Sequence, residues 1–215
     1  MESGQEVTGQ VQTEQTTTMK APEGRLVVVR HGETEWSRTG QHTGVTDLPL
    51  TPAGEDAARG LAATLKEFDF SLVLTSPLQR ARRTAELAGL QPEFDRDLVE
   101  WDYGAYEGLT TPQVRERLGY DWTVFEHGVA PGETPGETVE EVAARASRVV
   151  RRAVEAMASG DVALVAHGHL LRVLTAVFLQ KEPRFGAQLL LDAGAVSVLE
   201  FEKELPAVRL WNRTA

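Results

Sequence analysis

Three short stretches of the chain place histidine and arginine where chemistry would use them. Arg30-His31 is followed by Gly32-Glu33-Thr34, Ser76-Pro77 by Leu78-Gln79-Arg80, and His167-Gly168-His169 stand together. Imidazole is a nucleophile, a proton carrier and a metal ligand near neutral pH, whereas guanidinium is a fixed cation whose planar fork matches carboxylate and phosphate. Each stretch comes directly after an apolar run: LVVV at 26–29, SLVLT at 71–75 and DVALVA at 161–166. Arg30 is therefore attached to a buried strand. An unpaired guanidinium there is costly, so it must face a carboxylate, a phosphate or solvent. With two arginines and two or three histidines gathered, a phosphate is the simplest partner. The pair His167 and His169 could instead hold a metal. The chain has only five histidines, at 31, 42, 127, 167 and 169, and Asp161 lies at the wrong end of its strand to help.

Continuous apolar runs of this length read as strands buried on both faces of a parallel sheet. In open α/β sheets ligands bind outside the carboxyl ends of the strands, so the three turns should converge. Helical periodicity fills the gaps. Thr51-Pro52 opens one helix, with a stripe at Ala53, Ala57, Leu61, Leu65 and Phe68, and Thr138 caps a second, with Val142, Ala146, Val149, Val150, Ala153 and Met157. Leu170, Leu171, Leu174, Val177 and Phe178 mark a third. Residues 195–202 and 206–211 read as a hairpin. This pattern predicts the α/β class, as a three-layer sandwich with a mostly parallel central sheet and an antiparallel edge. The hairpin edge at 195–211 is a candidate surface for a homo-oligomer, though nothing in the sequence forces one.

At 215 residues the chain fits one domain, expected over 24–215. Residues 1–23, rich in Gln, Thr, Glu and Gly with almost nothing to bury, read as a disordered N-terminal extension. The net charge is −10, and without residues 1–18, which carry Glu2, Glu6 and Glu14 and no basic residue, it is still −7. Such a surface argues against nucleic acid and anionic membranes as partners, and leaves a small-molecule ligand held by a few local cations. The absence of cysteine removes disulfides and thiolate chemistry. No apolar stretch is long enough to span a membrane, and the N-terminus lacks the pattern of a secretory signal, so the cytoplasm is the expected location.

Taken in order, Arg30-His31-Gly32-Glu33-Thr34, Ser76-Pro77-x-x-Arg80-Ala81-x-x-Thr84-Ala85, Glu100-Trp101-Asp102-Tyr103-Gly104-Ala105-Tyr106-Glu107-Gly108 and His167-Gly168 resemble the motifs of the histidine phosphatase superfamily, the phosphoglycerate mutase-like proteins. The likeness runs from about Arg25 to the C-terminus. Residues 36–51, 100–108 and 167–172 look most like the phosphatase branch that includes sedoheptulose-1,7-bisphosphatase-like enzymes and broad-specificity acid phosphatases. Cofactor-dependent mutases usually carry Asn where Ser37 stands and a longer basic cap, which is not found here.

The resemblance implies a phosphomonoesterase acting on a small phosphorylated metabolite, with no metal or cofactor. Arg30 and Arg80 would neutralise the phosphate, His31 would attack phosphorus to form a phosphohistidine, and His167 would donate to the transferring group. Glu100 and Glu107 compete for the general-acid role, and the residues alone do not choose; the family pattern marks Glu100 and leaves Glu107 as a structural carboxylate. Ser37, His42, Thr43, Gly44, Tyr103, His169 and Arg172 are the candidate substrate-binding residues. Arg172 could equally pair with an acidic neighbour. Two other readings stay open: a mutase that returns the phosphoryl group to its substrate, and a non-catalytic module that only binds a phosphorylated ligand.

Overall fold

The computed structural model describes residues 21–214; the expected extension over 1–20 lies outside them, and Ala21–Glu23 have no regular secondary structure. Six strands form one sheet: β1 (Leu26–Arg30), β2 (Phe70–Thr75), β3 (Glu93–Phe94), β4 (Asp161–Ala166), β5 (Val196–Glu202) and β6 (Leu205–Arg213). Their order is β3-β2-β4-β1-β5-β6, with β3, β2, β4 and β1 parallel and the β5–β6 hairpin antiparallel at one side. The apolar runs occupy the centre because both faces there are covered. Leu26 and Val28 enter one core while Val27 and Val29 enter the other, as the two-residue period of a strand requires.

Seven helices supply the outer layers: α1 (Glu35–Thr39), α2 (Pro52–Leu65), α3 (Gln79–Leu87), α4 (Thr111–Leu118), α5 (Val124–His127), α6 (Val139–Ala156) and α7 (Gly168–Phe178). Leu61 and Leu65 of α2, with Ala81 and Ala85 of α3, close one face. The apolar sides of α6 and α7, with Val114, Val124 and Phe125, close the other. Thr51 caps α2 by accepting from the Gly54 N–H, with Pro52 at the first helical position. Thr138 and Glu141 form a reciprocal capping box at the start of α6.

The expected stripe on α2 is corrected by one residue at its start. Gly54 and Ala58 face inward rather than Ala53 and Ala57. Only a residue without a side chain can lie against Glu33, since a Cβ on Gly54 would stand 2.2 Å from the Glu33 carbonyl oxygen. Of the helices among the described residues, α1, α3, α4 and α5 are not among those the stripes predict, each being nine residues or fewer and too short to show a clear period, although Thr110-Thr111-Pro112-Gln113 and Thr123-Val124-Phe125-Glu126 carry the start signals of α4 and α5.

Strand register sets the level at which the reactive turns emerge. Arg30 pairs with Ala166, and Thr75 pairs with Val165. The next residues, His31, Ser76 and His167, therefore leave the sheet side by side.

Candidate active site

His31 is anchored through its backbone before its ring does anything. Its N–H donates to the Ala166 carbonyl and its carbonyl accepts from Gly194. Gly32 can follow because a Cβ there would fall 2.4 Å from the Gly54 carbonyl oxygen; the close approach of two backbones excludes any side chain. The ring, 4% exposed, places Nδ1 2.7 Å from the Gly32 carbonyl. Nδ1 therefore carries the proton, and Nε2 keeps its lone pair. Burial holds the imidazole well below its ordinary pKa, and the Arg80 and Arg30 charges push it the same way. A neutral, tautomerically fixed imidazole can act as a nucleophile at neutral pH.

The two arginines differ in how they are held. Arg30 gives one N–H to the Leu191 carbonyl, and its buried Nε–H has no hydrogen-bond partner among the described residues. A Cβ on Gly168 would meet this guanidinium at 3.3 Å, so the glycine leaves it room. Arg80, fully buried, donates to the carbonyls of Thr43, Gly44 and Thr46 and through Nε to His167 Nδ1 at 3.1 Å. Among the described residues neither guanidinium has a carboxylate within ion-pair distance, although both are desolvated. Two desolvated guanidinium groups without a direct carboxylate partner among the described residues are suited to receive an anion.

His167 is held here by protein groups on both ring nitrogens. The Arg80 Nε–H fixes its Nδ1 as an acceptor, so its Nε2–H goes to Ser76 Oγ at 2.8 Å. Burial first, then Arg80, keeps the ring neutral. It stands edge-on to His31 with ring centroids 5.1 Å apart. Both nitrogens being engaged, it is not arranged as a metal ligand, and no group of three or more ligating side chains gathers among the described residues.

The two glutamates separate clearly. Glu100 is 5% exposed and accepts from the backbone N–H groups of Trp101, His169 and Leu170, across the N-terminus of α7. It lines the same cavity as His31 and Arg30. Glu107 instead accepts from the N–H groups of Gly44 and Thr46 and is not in that cavity. The loop at 43–46 is thus clamped between the Glu107 carboxylate and the Arg80 guanidinium.

The cavity has a volume of about 390 Å³. Ser37, His42, Thr43, Tyr103, His169 and Arg172 all line it, but not all offer a free group. Gly44 is the correction: it lies outside the lining, its N–H on Glu107 and its carbonyl under Arg80. The Ser37 hydroxyl is used in the capping box with Thr34. Arg172 makes no ion pair with a described acid; it donates to the Gly186 and Ala187 carbonyls and lies 4.8 Å over the Phe125 ring. Tyr103, its hydroxyl kept protonated by burial, is hydrogen-bonded to His169 Nδ1 at 2.5 Å. Burial keeps the His169 ring neutral. The His42 ring lies 4.8 Å from that of Tyr103, tilted by 38°, with its pKa lowered by burial to about 4. The sequence reading missed Phe125 and Thr123 at the start of α5, Thr111, and Leu191, which also line the cavity.

The sequence profile of the histidine phosphatase superfamily (branch 1) matches residues 26–214. The chain is 42% identical over 182 residues to an acid phosphatase of Mycobacterium tuberculosis, covering 83% of this chain and 87% of the relative. It is 35% identical over 181 residues to sedoheptulose 1,7-bisphosphatase of Saccharomyces cerevisiae, covering 72% of this chain and 67% of the relative. The solved structure of an open-reading-frame product of Mycobacterium tuberculosis superposes with a TM-score of 0.84 at 38% identity, covering 89% of this chain and 98% of that one. The chain belongs to the histidine phosphatase superfamily, branch 1. It is a phosphatase with the phosphoglycerate mutase-like α/β fold.

Proposed function

We propose that the protein hydrolyses a small phosphorylated metabolite, a sugar phosphate or similar monoester, through a phosphohistidine at His31. One observation carries the reading: a neutral His31 with a lone pair on Nε2 lines the same cavity as Arg30, which has no carboxylate within ion-pair distance among the described residues, and His31 feels the nearby charge of Arg80. Arg30 binds the phosphoryl oxygens, and Arg80 adds positive charge at close range. His31 Nε2 attacks phosphorus in line; the bond to the leaving oxygen breaks, and that oxygen takes the electron pair and a proton from the Glu100 carboxyl. Water then attacks the phosphohistidine, giving its proton to the Glu100 carboxylate, and the P–N electron pair returns to Nε2. The name of one relative, sedoheptulose 1,7-bisphosphatase, supports a metabolite-sized phosphate ester.

The test is phosphate release from a panel of phosphorylated metabolites that includes sedoheptulose 1,7-bisphosphate and 3-phosphoglycerate. Hydrolysis of at least one, lost in His31→Ala, is expected. Turnover that survives His31→Ala would overturn the mechanism, and exchange between 2- and 3-phosphoglycerate with little free phosphate would mark a mutase instead.

A further inference from the structure

Glu100 has no strand or helix of its own. It lies in an irregular stretch between a short 3-10 turn at Arg96–Leu98 and another at Gly104–Tyr106. Backbone carbonyls in such a stretch, buried under α6, need donors from elsewhere. One side chain provides them. Arg145, on the buried face of α6 and only 8% exposed, donates through one terminal nitrogen to the carbonyls of Asp97 and Val99 and through the other to the carbonyl of Glu100 and to Glu137 Oε2, while its Nε–H goes to Glu137 Oε1. All five N–H groups of the guanidinium are thereby used.

Glu137 continues the grip on the far side of Glu100. Its Oε2 accepts from the Asp102 N–H, its own N–H donates to the Asp102 carbonyl, and its carbonyl accepts from Trp101 Nε1 at 2.7 Å. The pair thus holds the backbone at 97, 99, 100 and 102 and the indole of Trp101, directly before and after the glutamate that reaches His169 and Leu170.

We infer that Arg145 and Glu137 are the positioning pair that aims the Glu100 carboxyl at the leaving oxygen. The inference rests on Glu100 being the general acid. A planar fork with five donors is required, so lysine, a point charge with three, cannot reproduce it.

The readout is leaving-group dependence, which a role in folding alone would not move. An aryl phosphate such as p-nitrophenyl phosphate needs little proton donation to its leaving oxygen, whereas an alkyl phosphate needs it in full. In Glu100→Gln, kcat on an alkyl phosphate should fall about 100-fold or more, and on p-nitrophenyl phosphate far less. Arg145→Lys should show the same selectivity at smaller size, about 10- to 100-fold on the alkyl ester, with KM nearly unchanged. Glu137→Gln, which keeps volume and weakens the same grip, should follow it if Arg145→Lys fails to fold. Adding either change to Glu100→Gln should cost little more. Equal losses on both esters, or additive losses in the double variant, would overturn the positioning role. If Glu100→Gln itself shows no selectivity, the general-acid reading fails, and this inference with it.

Discussion

His31 and Arg30 are adjacent in sequence yet serve opposite electrostatic ends. Arg30 must stay charged in a desolvated place, and His31 must stay neutral beside it. The same burial that costs the arginine its hydration keeps the imidazole unprotonated. Arg30→Ala should lower kcat/KM about 100- to 1,000-fold, as expected for removing a charged donor from a developing phosphoryl charge, and Arg30→Lys should restore only part of it, because lysine lacks the Nε–H. Steady-state kinetics on a single ester checks both. Because His31 is held well below its ordinary value, any acid limb of the kcat/KM profile that belongs to it should lie well below pH 6.5. A limb near 6.5 that moves to higher pH in Arg80→Met would contradict this assignment.

At the level of elements, the site depends on strands ending in register and on helices approaching closely. The contact between Gly32 and Gly54 lets the turn after β1 meet the start of α2. In Gly32→Ala the new methyl would press on backbone that cannot swing aside. The expected cost is about 1–3 kcal/mol, seen as roughly 2–4 °C of lost Tm per kcal/mol, together with a fall in kcat. A variant melting and turning over like the parent would show that the turn tolerates a shift of its backbone.

For the whole molecule, an excess of acid at the surface coexists with cations and neutral histidines inside. His31, His42, His167 and His169 are all depressed, chiefly by burial. Below about pH 6.5 the unfolded chain binds protons that the folded one refuses, so their contribution to stability is full above that value and is lost as pH falls toward the folded values, about 4 for His42. Each histidine in this window weakens the fold by about 1.4 kcal/mol per pH unit. Thermal or urea unfolding between pH 7.5 and 4.5 should reveal this slope, and His42→Phe should flatten it by about one proton. An unchanged slope in that variant would remove His42 from the account.

Local sequence carried the strands, the long helices and their caps, because apolar runs and the Thr51 and Thr138 signals act over a few residues. It also carried the reactive turns, since Arg30, His31, Arg80 and His167 sit at or near strand ends that a parallel sheet must align. Arg145 was legible in principle: it lies three residues after Val142 and four before Val149, on the apolar stripe of α6. What no local pattern could decide was how each group is used. Glu100 and Glu107 stand seven residues apart in one motif, and only tertiary packing turns the first toward the cavity and the second onto the Gly44 and Thr46 amides. Packing likewise spends the Arg80 donors on loop carbonyls, gives the His167 proton to Ser76 and takes Gly44 out of the cavity. Hydrogen bonds between residues tens of positions apart are set by where the chain returns in space, so the residue types were readable from the sequence while their partners were decided by the fold.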